Sequence, residues 1–264
     1  MLIGTGHVFR LEDTVLGAIR HYRPQAVGVE LDRGRLEGLL ARERGEAPEA
    51  AGGFVHRKLQ RFQESLASSY GTKAGGEMVA AVRGARELGA RLLLLDVAVD
   101  DLVRRVVKEL TWRERARLVA QFTAGMARLG WARLRPGPKD GERDPSRDAV
   151  EAEIRRYQED PEATMGKLAT DFPTIHRIVI AERDERMARH LRSAVRQGLS
   201  VVAVVGDGHL VGMLPMLADL HPVVHRLADV RAGRIPQAPP QSLATGSTES
   251  VSFRVTSAAP PPEL

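Results

Sequence analysis

The sequence predicts an α/β fold: a small, mostly parallel sheet flanked by helices, with a helical insertion between the third and fourth strands. Three observations predict it. In Leu199–Gly212 the apolar, mostly β-branched run Val201–Val205 stops abruptly at Gly206-Asp207-Gly208-His209. A short run that is apolar throughout and bounded by turn residues reads as a strand buried on both faces, as in a parallel sheet. The chain opens the same way, with Leu2-Ile3 running into Gly4-Thr5-Gly6-His7. Between these two segments, apolar runs alternate with amphipathic helical stretches, the pattern of parallel strands joined by helical crossovers.

Taken in order, Leu2-Ile3 is the first strand, and an amphipathic helix follows near Glu12–Tyr22, broken by Pro24 and Gln25. Ala26–Leu31 is the second strand, with Glu30 and Asp32 at its end, and a helix over roughly Arg35–Arg44 leads into a Gly45–Gly53 loop. Leu59, Phe62 and Leu66 recur at helical spacing within Phe54–Ser69. Gly75-Gly76-Glu77-Met78 begins a helix stopped by Gly89, and Arg91–Asp96 is the third strand. Apolar residues at helical spacing then predict one long helix over Asp101–Leu129, followed by an exposed Pro/Gly-rich loop, Arg133–Arg147. Helices are predicted at Asp148–Gln158, Pro161–Thr170 and Pro173–Arg196, the last stopped by Gly198 before the strand that leads to His209. A glycine turn then carries the histidine, a short helix spans Leu210–Leu217, and His221–Arg226 is a final strand. These elements make one domain, 1–232. Residues 233–264 are rich in Pro, Ser and Thr and read as a mostly disordered tail. Within that tail Ser250–Val255 alternates like an edge strand, able to pair with its own sheet or to bridge two copies as a homodimer.

Composition excludes several classes of function. The chain has 264 residues, 43% apolar and 28% charged, enough to bury a full core. There is no cysteine, so disulfides and thiolate metal sites are excluded, and any metal must use histidine and carboxylates. The net charge of +5 is spread through the chain without a basic stripe or interleaved aromatics, so no nucleic-acid partner is expected. No stretch approaches a membrane span, and no charged-then-apolar leader stands at the start. The expectation is a cytoplasmic protein without a transmembrane segment.

Chemistry concentrates where strands end. His7, His209, Glu30, Asp32 and Asp96 would converge at the carboxyl edge of the sheet, where α/β proteins form their clefts. Two imidazoles with one or two carboxylates suit a hydrolytic Zn, Mn or Co ion that keeps a position open for water. Each residue taken singly has a structural explanation, as a strand-end cap bonded to a turn. Glu77 sits in the first turn of its helix, where an acid complements the helix dipole, but Gly75-Gly76 beside it permits close approach to a site. The charge run Glu182–Arg186 reads first as a solvated helix face, but Arg183 shares a helical stripe with Met187 and His190, so it can also face inward onto a carboxylate or substrate. Neither glycine segment completes a phosphate-binding pattern. A cluster of Arg128, Arg133, Arg135 and Lys139 near Trp131 suggests a contact for an acidic partner.

Several of these residues together resemble the TraB/PrgY family, related to the TIKI proteins and to the wider EreA/ChaN-like superfamily. The resemblance rests on Gly-Thr-Gly-His at 4–7, Val-Gly-Val-Glu-Leu-Asp at 27–32 and Gly-Gly-Glu-Met at 75–78. It continues through Leu-Leu-Asp at 94–96, Ala-Glu-Arg-Asp-Glu-Arg-Met at 181–187 and Val-Val-Gly-Asp-Gly-His at 204–209. It implies an EreA/ChaN-like sheet and a divalent-metal-dependent hydrolase of TIKI type, a metalloprotease or peptidase acting on a peptide or amide bond. The paired Gly-x-x-His motifs supply His7 and His209 as metal ligands with Glu30. Glu77, Glu30 and Arg183 are the catalytic candidates, and Glu182 and Asp184 support them. The substrate expected is a peptide or small molecule; PrgY-like members imply pheromone shutdown and ChaN-like members haem, so the alternative is a protein that binds a peptide or haem without turnover. Many members carry membrane spans after the domain, where this sequence has its Pro/Ser-rich tail.

Overall fold

In a computed structural model of the chain, the described residues are 1–6, 10–45, 75–134 and 160–238. Two compact units divide it, Met1–Asp101 with Glu182–Leu264, and Leu102–Ala181. The first holds a five-stranded sheet in the order β3-β2-β4-β1-β5, every neighbouring pair parallel. Its strands are β1 (Leu2–Thr5), β2 (Ala26–Val29), β3 (Arg91–Leu94), β4 (Val201–Gly206) and β5 (Val224–His225).

Helices join them: α1 (Glu12–Tyr22), α2 (Arg33–Glu43) and α3 (Gly76–Glu87) before β3, then α4 (Val99–Glu109) and α5 (Trp112–Leu134). After α6 (Pro161–Asp171), one helical turn (Pro173–Ile175) and a π-helix (His176–Ala181) lead into α7 (Glu182–Arg196). α8 (Asp207–Met216) and α9 (Leu227–Arg231) complete the set. The helical insertion expected between the third and fourth strands is therefore present, most of it forming the second unit.

Both faces of the sheet are covered, which explains the unbroken apolar strands. Successive side chains point to opposite faces. Val202 and Val204 join Ile3, Val27 and Val29 in a core completed by α1, α3 and α9, through Ile19, Met78 and Val230 among others. Ala203 and Val205 join Leu2 in a second core, with Met187 and Leu191 of α7 and Leu210 and Met213 of α8. α1 carries Glu12 and Asp13 in its first turn and Arg20 and His21 in its last, matching the helix dipole. It ends on Arg23 in the left-handed conformation just before Pro24.

Three elements differ from expectation. The long helix predicted over Asp101–Leu129 is two helices, because Thr111 and Glu114 form a capping box that restarts the chain. The Glu114 amide donates to the Thr111 hydroxyl (3.3 Å) and the Thr111 amide to the Glu114 carboxylate (3.0 Å). The helix predicted from Pro173 includes the π-helical stretch before α7. Gly206-Asp207-Gly208-His209 forms no turn: Gly206 is the N-cap and α8 starts at Asp207. Glycine and aspartate suit a helix start as well as a turn, so His209 rides on the first turn of a helix.

The expected helices at Phe54–Ser69 and Asp148–Gln158 and the edge strand at Ser250–Val255 lie outside the described residues, as do the 46–53 loop and most of 133–147. Past Gly233, Ile235 is buried in the first core and the Ala238 amide donates to the Gly17 carbonyl of α1 at 3.0 Å. Among the described residues no helix is long and apolar enough to cross a membrane.

Candidate functional site

β1 and β4 pair with Gly4 opposite Val205 and Thr5 opposite Gly206, so the two strands end side by side at their glycines. Gly4 is required there: a β-carbon would overlap the Asp207 carboxylate and crowd Leu210. Asp207 itself is structural, accepting from Arg226 (2.9 and 2.7 Å) and from the Leu227 amide (2.8 Å), which ties the start of α8 to α9. His7 lies outside the described residues.

Glu30 follows β2 and is 6% exposed. The Gly206 amide donates to its Oε2 at 2.6 Å, and its Oε1 accepts from Arg183 at 2.5 Å and lies 3.2 Å from Nε2 of His209. A side chain at position 206 would press on this carboxylate. Asp96 follows β3 and holds Arg183 with both oxygens, Nε to Oδ1 at 2.8 Å and a terminal nitrogen to Oδ2 at 2.7 Å. Arg35 of α2 also donates to Asp96. Asp32 serves locally, accepting from the Arg35 amide (3.1 Å) and side chain (2.8 Å) at the start of α2.

From the other side, Asp184 of α7 lies 2.5 Å from Nδ1 of His209. Gly212 lets the helices approach this closely, since a β-carbon there would overlap the Asp184 carboxylate. Described contacts thus run in one buried chain: Asp96, Arg183, Glu30, His209, Asp184. Burial works against a charged imidazole at His209, but the charge of Glu30 and the hydrogen bonds of Asp184 and Glu30 outweigh it, and its pKa rises to about 9. Burial also pushes the Asp184 carboxyl up, against the pull of His209. Flanked by two carboxylates, the imidazole is the stronger holder of the shared proton. Arg183 is raised as well: burial opposes its charge, and Asp96 and Glu30 more than offset that.

This chain tests whether a divalent ion fits. Two donors 3.2 Å apart, as His209 Nε2 and Glu30 Oε1 are, match two ligands each roughly 2.0–2.2 Å from one ion at an angle near tetrahedral. The carboxylate on the far ring nitrogen is the usual partner of a metal-bound histidine. Two ligands do not complete a site. Among the described residues no group of three His, Asp or Glu side chains is arranged to hold a metal ion.

Glu77 is 1% exposed in the first turn of α3, after Gly75, which takes the left-handed conformation at the N-cap. Sequence reasoning singled out Glu30, Arg183 and His209 and gave Asp184 only a supporting part. Arg35 and Gly212 were missed. The signal for Gly212 is its place one turn beyond Gly208 on the His209 helix, a face that glycines leave open to a neighbour.

A model of the TraB/PrgY/gumN family matches residues 1–221. The chain is also 28% identical over 228 residues to MJ1365, an uncharacterised protein of Methanocaldococcus jannaschii, which covers 83% of this chain and 53% of that protein. The chain therefore spans about half the length of this curated relative.

Proposed function

The chain belongs to the TraB/PrgY/gumN family, and we propose that it is a divalent-metal-dependent hydrolase of a peptide or amide bond. The observation that carries this reading is the chain Asp184–His209–Glu30, which presents an oriented imidazole nitrogen beside a carboxylate oxygen. His209 and Glu30, with His7 as third ligand, would hold a Mn, Co or Zn ion. Such an ion, when bound, lowers the pKa of a water and polarises a scissile carbonyl.

The chain's own residues have separate tasks. Asp184 fixes the imidazole by accepting from Nδ1. Asp96 anchors Arg183 through two bonds that do not involve Glu30, so Arg183 keeps its place if Glu30 turns to an ion. Its guanidinium then lends positive charge where a carbonyl oxygen becomes negative. Glu77 is the carboxylate we assign as general base.

Metal-free protein is given Mn, Co or Zn and its cleavage of a peptide library is followed by mass spectrometry. Cleavage that requires added metal and is lost in His209→Ala supports the proposal. Activity independent of metal, or unchanged in that variant, overturns it. A second reading, a peptide- or haem-binding protein without turnover, is favoured by Arg183 occupying Glu30 Oε1, since the network is satisfied without an ion. It predicts stoichiometric binding and no product.

A further inference from the structure

The face of α7 that carries Arg183 continues one turn on with Arg186 and His190. Both are half-buried, and each has a buried polar atom without a hydrogen-bond partner: Nε of Arg186 and Nδ1 of His190. The charges nearest His190 are cationic. Burial holds the His190 pKa below its ordinary value, and the charges of Arg186 and Arg189 push the same way, against a hydrogen bond with the Leu95 main chain. Neighbouring charges are engaged elsewhere: Arg183 with Glu30 and Asp96, and Arg189 with Glu185 at 3.9 Å on the exposed side. Among the described residues Arg186 takes part in no ion pair. His190 stands beside the end of β3, where its ring meets the Leu95 main chain, and Asp96, the next residue, meets Arg183 of the same helix.

We propose that Arg186 and His190 form a subsite for a carboxylate of the peptide substrate, placed one helical turn from Arg183. The proposal rests on the peptide reading above. A planar carboxylate matches the donor fork of an arginine, and its negative charge draws a proton onto Nδ1 of His190, which then adds a second donor. Burial takes these groups away from solvent, so an anion that reaches both gains charge-assisted bonds. The carboxylate is either the peptide's own C-terminus or an acidic side chain.

The test uses the full-length, metal-free protein and three peptides of one core sequence: a free C-terminal acid, its C-terminal amide, and the amide with one internal aspartate. Equilibrium binding is measured by calorimetry and by the NMR signals of His190. At least one carboxylate-bearing peptide should bind about tenfold or more tightly than the plain amide, the worth of one charge-assisted bond. Which one does so identifies the source. Arg186→Met should erase this preference and leave binding of the plain amide unchanged, and Arg186→Lys, tested in case the methionine variant fails to fold, should lose most of it. Equal binding of all three, binding of none, or a preference that survives in both variants overturns the subsite. Because no metal and no turnover are involved, failure of the hydrolase reading shows separately, as absence of cleavage with the carboxylate preference intact.

Discussion

Asp184 of α7 and His209 of α8 meet at 2.5 Å through Nδ1, an approach that depends on the bare glycine at 212. The contact leaves Nε2 facing Glu30. Asp184→Asn should therefore keep the fold but weaken Mn, Co or Zn binding about 10- to 100-fold, the usual cost of losing the carboxylate behind a ligating histidine. Calorimetric titration of metal-free protein checks this, and affinity equal to wild type would remove Asp184 from the site. Gly212→Ala should act differently, separating α7 from α8 and lowering the melting temperature.

Arg183 is 8% exposed between Glu30 and Asp96. Arg183→Met leaves buried carboxylates short of their counter-charge, and breaking a buried pair from one side costs about 3–5 kcal/mol. Urea unfolding at neutral pH should show a loss of that order. Arg35→Met should cost less, because the Arg35 side chain is 27% exposed and Asp96 keeps both Arg183 bonds.

In the second unit, Glu114 closes the capping box of α5 and accepts from the Thr174 amide at 2.7 Å. Burial pushes its carboxyl up, but the hydrogen bonds from Thr111 and Thr174 prevail and hold the pKa at about 2, below the ordinary 4.5. A depressed acid stabilises the fold fully above its unfolded pKa and loses that contribution as pH falls through its folded one. Glu114→Gln should therefore destabilise most at neutral pH, with the gap to wild type closing between pH 4.5 and pH 2. Denaturant melts at several pH values test this. A gap that does not change with pH would show that the carboxylate charge is not what stabilises the box.

Ile235 is 4% exposed, packed in the first core, and Ala238 bonds to α1. Truncation after Arg234 should cost about 2–5 kcal/mol, as for an emptied isoleucine site. Truncation after Ala238 removes residues 239–264, whose Pro- and Ser-rich composition offers little to bury, and should leave the melting temperature unchanged. A fall that depends on protein concentration would instead mean that Val251, Phe253 and Val255 bridge two subunits.

Much of this protein is set by short-range signals in its sequence. The unbroken apolar runs at 26–29 and 201–205 specify strands covered on both faces. Helical spacing and caps place α1, α3 and α6 close to their observed bounds, and Thr111-x-x-Glu114 marks a helix start that the apolar periodicity running across it conceals. Strand ends also placed Glu30 and Asp96 at the sheet's carboxyl edge, and the stripe Arg183–Met187–His190 allowed an inward arginine within a charge run that reads first as a solvated face. What only the tertiary structure decided is who meets whom. Arg183 finds Glu30, 153 positions away, and Asp184 finds His209 across 25. Such pairings depend on strand register, on the rotation of each helix about its axis and on how closely two backbones approach. A glycine such as Gly212 controls the last of these, and no local periodicity records it.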